Sequence, residues 1–247
     1  MSTPTAMPAS LDRRSLYEEI LIVLALTVLA SAAFAVISLV SAPIRGVAVT
    51  TTTQTLVLAR HLAGLVFFGL APVWLVVYLL RRSGEGVVPL GLTLRDLPAG
   101  IPLGAYLALL VSISGLGLYI VGYAYGFTRI VIPVPPLEQW WTIPVLVLDA
   151  FQNGLYEEVI VAGYLLHRLG QAGWRPAPAL WLAAVIRGSY HLYQGYGAFV
   201  GNLVMGLFFG LIWQRTRRTW PLVVAHGLID VAAGIGYIYF RGRLELF

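Results

Sequence analysis

Seven apolar stretches, at roughly 16–40, 56–80, 99–123, 142–167, 177–191, 197–213 and 221–240, take up most of the chain and are joined by short polar connectors. The longer ones supply the roughly 20 residues that a helix needs to cross about 30 Å of hydrocarbon. A segment in lipid must close its own backbone hydrogen bonds, which makes it a helix. The expected fold is therefore all-α: a polytopic transmembrane helical bundle of about seven to eight spans around a polar intramembrane cavity. The fifth and sixth stretches are short and glycine-rich, which suggests tilted, broken or re-entrant segments, and an eighth has room near Trp140 and Trp141. Composition agrees, because 59% hydrophobic and 11% charged residues over 247 positions, with a mean hydropathy of +0.82, lie outside the range of water-soluble domains. The first stretch follows Arg13 and Arg14, is too long for a signal-peptide core and reads as a retained span. With no separate soluble domain in view, 1–247 reads as a single integral membrane domain.

All 16 basic residues are arginines, and their placement sets an orientation. With a cytoplasmic N-terminus, Arg13, Arg14, Arg81, Arg82, Arg95, Arg168, Arg175, Arg215, Arg217 and Arg218 fall inside, against Arg45, Arg129, Arg241 and Arg243 outside. That positive-inside bias predicts a multi-pass protein of the cell membrane with its N-terminus in the cytoplasm. The formal charge of +5 is spread over the connectors, which suits the lipid bilayer as partner and not nucleic acid. Without cysteine, disulfides, thiolate metal sites and cysteine nucleophiles are excluded. The segment TRIVIPVPPLEQWW reads as an outer connector stiffened by Pro133, Pro135 and Pro136 and anchored at the interface by Trp140 and Trp141. Arg60 and His61 read as outer-interface groups, and His167 and Arg168 as inner-boundary anchors.

Ionisable residues inside the spans are where function is expected, since each costs roughly 2.5–3.5 kcal/mol at a helix centre on insertion scales. The near-identical pentamers LYEEI (16–20) and LYEEV (155–159) differ in this respect. Glu18 and Glu19 occupy the first turn of the first span, where headgroups and the helix N-terminus accommodate negative charge. Glu157 instead lies roughly 16 Å from the boundary near Arg168, at 1.5 Å per residue. Asp149, Asn153 and Glu157 recur every four residues and share one helical stripe, with Glu158 about 100 degrees further round. Arg187 and His191 share a face of the next span, as do His226 and Asp230 of the last. All can lie in one slab of the bilayer.

Such a cluster admits several chemistries. Its members can act purely as glue between helices. A carboxylate beside histidine can act as general base towards water. Two histidines and two carboxylates could hold a divalent metal, but no short-range ligand motif such as HExxH appears, so no cofactor is assigned. Ser189 lacks a G-x-S-x-G context, which disfavours a serine nucleophile.

The segments YEEVIVAGYLLHRLG, IRGSYHLYQG and GNLVMGLFFGLIWQRTRRTWPLVVAHGLID, in that order, resemble the successive motifs of the CPBP family of intramembrane CAAX prenyl proteases and bacteriocin-processing or Abi proteins. The resemblance covers roughly Phe151 to Ala233, within a catalytic core expected over 142–240. It implies a glutamate- and histidine-dependent endopeptidase with a cavity open to the cytoplasm, acting on a membrane-associated peptide or protein through activated water. By position, Glu157 would be the base, His191 would orient the water, Glu158 would support them, and His226 with Asp230 would stabilise the oxyanion. Asn153 and Arg187 would be supporting residues. Three positions depart from the family pattern: Ala162 replaces an arginine, Arg187 a phenylalanine and Asp230 an asparagine. Because the positive charge leaves one motif and appears in the next, Arg187 is expected to be the counter-charge. Readings from other classes are a non-proteolytic membrane scaffold or regulator on the same fold, and a small proton-coupled transporter using Glu157 and Asp230. Gly206 and Gly210 form a small-xxx-small pair expected to pack within the chain.

Overall fold

The computed structural model describes residues 11–241, and 77% of these described residues are helical. Arg243, assigned above to the outer side, lies outside the described residues. Seven helices follow in order: α1 (Arg13–Ser41), α2 (Leu58–Arg82), α3 (Leu97–Ala124), α4 (142–171), α5 (Pro176–Ser189), α6 (Tyr196–Thr216) and α7 (Trp220–Phe240). Their limits follow the apolar stretches closely, because in lipid the hydropathy pattern and the helix are one constraint. By length and composition five of them are apolar enough to cross a membrane: α1, α2, α3 with its short lead-in from Val88, α6 and α7. The fourth carries the in-span charges and the fifth has only 14 residues. No eighth helix forms at Trp140 and Trp141, which occupy the turn into α4. The sixth stretch, expected to be short or broken, is a continuous helix of 21 residues.

α4 is the hub. From Glu157 to Leu166 every residue is buried, which requires neighbours on all sides. Val159, Ile160, Tyr164 and Leu165 form the centre of the core with Val76, Leu80, Leu222, Phe209 and Trp213 from the surrounding helices. The outer surface reverses the pattern of a soluble protein: Phe34, Phe68, Trp74 and Leu109 are exposed, as suits contact with lipid. Within α4 the segment Glu158–Leu165 is π-helical, a wider winding that inserts an extra residue per turn and often marks functional positions. Glu157 ends the α-helical part, so the winding changes between the two adjacent glutamates.

Small residues set the distances between helices. A Cβ on Gly206 of α6 would lie 3.0 Å from Ala184 Cα and 3.1 Å from Arg187 Cδ of α5, so this glycine brings the two helices together beside Arg187. Gly206 and Gly210 thus pack within the chain, Gly210 against Leu180.

The connectors gather at two ends. At one end Thr219 Oγ1 donates to the Leu90 carbonyl (2.6 Å) and Trp220 Nε1 to the Thr93 carbonyl (2.9 Å). At the other, strand β1 (Ala48–Thr50) pairs in parallel with β2 (Ile130–Ile132), in the register Ala48 with Ile130, Val49 with Val131 and Thr50 with Ile132. Arg129, buried, holds this end by donating to the Ser38, Ala42 and Tyr193 carbonyls and to Ser38 Oγ. The segment expected to be a plain connector is therefore tied to α1 and to the turn after α5. Of its two tryptophans only Trp140 is exposed, while Trp141 is buried against the His61 ring.

Candidate active site

Glu157 and Glu158 project from the middle of α4 into contact with α5 and α7. Glu158 is fully buried, and its Oε1 accepts from Arg187 Nη1 at 2.6 Å and from His226 Nδ1 at 2.7 Å. Since the Nδ1 proton goes to this carboxylate, the 3.2 Å approach of Arg187 Nη2 to the same nitrogen is proximity and not a second hydrogen bond. Glu157 Oε2 accepts from the Tyr190 hydroxyl at 2.7 Å and lies 3.5 Å from Arg187 Nη2. A single guanidinium thus stands against both glutamates. It sits in the last turn of α5, facing Phe209 of α6 at 5.7 Å from its ring centre.

His191 lies in the turn that follows α5, one residue beyond the capping Tyr190. Its Nδ1 must donate to the Arg187 carbonyl (3.0 Å), because that oxygen can only accept, and this leaves Nε2 as the acceptor nitrogen of the neutral ring. Nε2 faces Glu157 Oε1 across 3.9 Å, beyond direct hydrogen-bond length. On the far side His226 Nε2 lies 3.7 Å from Asp230 Oδ2, which accepts from Asn153 Nδ2 at 3.1 Å.

Side-chain exposure falls from 35% at Asp230 through 14% at His191 and 6% at Glu157 to none at Glu158. Access is consequently from the Asp230 and His191 side, and the second glutamate is the innermost. Among the described residues no group of three histidine, aspartate or glutamate side chains is arranged to hold a metal. The pair of Glu158 and His226 is in addition confronted by the Arg187 cation, which repels a divalent ion. Ser189 Oγ is engaged with the Val185 carbonyl at 2.7 Å on the exposed side of α5.

Of the residues singled out in the three spans, Asn153, Glu157, Glu158, Arg187, His191, His226 and Asp230 lie in one connected group. Asp149, on the same stripe as Asn153 and Glu157, is not part of it. It binds His61 of α2 at 2.6 Å, and His61 is buried, not an interface group. Tyr190, overlooked in the sequence, was signalled only by its place beside His191.

A second polar group closes the end where α1 begins. Arg168, expected to be a boundary anchor, is completely buried and donates to Glu19, Glu85, Gln171 and Ser83. Glu19 also accepts from Tyr164, whereas Glu18 is exposed and pairs with Arg14. The LYEEI pair is thus only half solvated. Burial pushes the Glu85 carboxyl up, but hydrogen bonds from His167, Arg168 and Ser83 and the Arg168 charge outweigh it and hold the group at about 2.

Compared with known proteins, the chain matches no curated protein and no solved structure. Residues 139–232 match the family described as Rce1-like, type II CAAX prenyl endopeptidase, a span that contains α4, α5, α6 and the start of α7 and every residue of the central group. That match is consistent with the CPBP-like motifs carried by the same residues.

Proposed function

We propose that the chain is an intramembrane endopeptidase in which Glu157 and His191 activate water against a peptide bond, with 142–240 as its catalytic core. The observation that carries this reading is the unequal treatment of the two Glu157 oxygens. Oε2 is held by Tyr190 and Arg187, while Oε1 faces the acceptor nitrogen of His191 across 3.9 Å, a distance one water molecule spans.

A water placed there gives one hydrogen to Glu157 Oε1 and the other to His191 Nε2, which leaves its lone pairs for the substrate carbonyl. As its oxygen bonds to the carbonyl carbon, the proton passes to Glu157 and the carbonyl electrons move onto oxygen. Collapse of this intermediate breaks the C–N bond, and the leaving nitrogen takes the proton back from Glu157. His226 in its charged form offers Nε2–H to the oxyanion, since Nδ1 is committed to Glu158. Asp230 can donate there only when protonated. Glu158, without access to the open side, serves with Arg187 to fix His226.

The arginine-rich end near Arg168 is assigned to the cytoplasm together with the N-terminus. The substrate is a membrane-associated peptide or protein, with no lipid modification required by any contact described. The test is cleavage of a membrane-anchored peptide library by the purified chain in liposomes. Glu157→Gln and His191→Ala should each abolish cleavage while the protein stays folded. Retained cleavage in both would refute the mechanism, and substrate-dependent proton flux without cleavage would favour transport.

A further inference from the structure

Between α2 and α4, towards the end that carries the two strands, lies a half-open cavity of about 200 Å³ lined by Thr51, Thr53, His61, Asp149, Gln152 and Tyr156, with apolar walls from Leu65 and Phe68. None of the residues assigned to hydrolysis lines it. Its size is several times the roughly 30 Å³ share of a water molecule in the liquid, so it suits a small organic group better than a bare ion.

Its one acidic lining group is Asp149. His61 is 97% buried, judged by its 3% exposure, and its Nε2 lies 2.6 Å from Asp149 Oδ2, while Nδ1 is enclosed without a partner. Asp149 meets His61 there, no arginine lines the cavity, and the neighbouring Arg60 is exposed. A carboxylate among helices stays ionised only beside positive charge, which a cation bound in the cavity would supply.

The remaining lining groups are oxygen acceptors with adaptable hydrogens: threonine and tyrosine hydroxyls and the Gln152 amide. Gln152 is placed by Gly69 of α2, because a Cβ at that glycine would occupy the space that the amide fills. We infer that this cavity is a binding site for a primary ammonium group, whose three N–H donors are shared between Asp149 and the neighbouring oxygens. A quaternary ammonium of the same charge has no N–H to give and is discriminated against.

The amine can be that of a lipid headgroup or of a free molecule, and the experiment separates the two. The full chain is reconstituted in vesicles of phosphatidylcholine with increasing phosphatidylethanolamine, and the lipid that remains bound after extraction is counted by native mass spectrometry. In parallel, free ethanolamine and free choline are titrated against the protein in detergent, with the imidazole resonances of isotopically labelled histidine as readout. Retention of phosphatidylethanolamine about tenfold over phosphatidylcholine, with free ethanolamine inert, assigns a lipid headgroup. A saturable shift of the His61 resonance by ethanolamine and not by choline assigns a soluble amine. Either result supports the site, and Asp149→Asn should remove it. The inference is overturned if the wild-type protein treats primary and quaternary amines alike in both arms, a comparison that does not depend on the variant folding. Undiminished amine selectivity in folded Asp149→Asn overturns it equally.

Discussion

Arg187 and Glu158, 29 residues apart and on different helices, meet at 2.6 Å with side-chain exposures of 1% and 0%. Ala162 is buried one helical turn beyond Glu158, where the family pattern has an arginine. The guanidinium therefore reaches the same carboxylate from the adjacent helix, not from its own.

This relation predicts a compensation. Removing one partner of a buried ion pair costs about 3–5 kcal/mol, because the other charge is left unpaired in a low-dielectric setting. Arg187→Phe alone should lower the detergent-solubilised protein's unfolding midpoint markedly, and adding Ala162→Arg should recover most of it. Equal stability of the single and double variants, measured by thermal unfolding, would mean that the positive charge does not move between the motifs as argued.

Tyr190→Phe probes how Glu157 is held. The lost hydroxyl donates to Oε2 at 2.7 Å, and a hydrogen bond to a charged group is worth about 1.5–3 kcal/mol. We expect kcat for peptide cleavage to fall at least about tenfold with KM nearly unchanged and with the acidic limb of the pH–rate profile displaced. A merely structural tyrosine would change expression or stability without moving that limb.

Asp230→Asn restores the amide of the family pattern. Its Oδ1 can still accept from Asn153, and its amide hydrogens can reach an oxyanion without any need for a proton. Cleavage should be retained or raised, whereas Asp230→Leu should lower it about a hundredfold. Loss of activity in both, with the fold intact by circular dichroism, would assign the carboxylate itself a task.

Glu85 gives a pH dependence with a defined sign. Its folded value of about 2 lies below the ordinary 4.5, so its stabilising contribution is complete above about 4.5 and disappears as pH falls towards 2. Unfolding midpoints measured across that window should decline in the wild type and decline less in Glu85→Gln. Parallel curves for the two proteins would show that Glu85 does not bear on stability there.

The seven helices were legible because lipid leaves the backbone no alternative: an apolar stretch long enough to cross must be a helix, wherever its neighbours are. Local spacing likewise identified which polar residues share a face, as with Arg187 and His191 or His226 and Asp230. The π-helical winding after Glu157 left no such trace, since Glu158–Leu165 carries no pattern that distinguishes it from an ordinary apolar turn. Nor did the strand pair, whose two members lie some 80 residues apart and form only because the loops meet.

Partnership was decided by the tertiary structure alone. Asp149, Asn153 and Glu157 are equivalent by periodicity, yet they bind His61 of α2, Asp230 of α7 and Tyr190 just past the end of α5. Trp141, Glu19 and Arg168 read as surface residues because position relative to a span end says nothing of what packs over that end. Sequence fixes secondary structure here through the solvent, a local and uniform condition, but the pairing of buried charges depends on helix packing between residues distant in the chain.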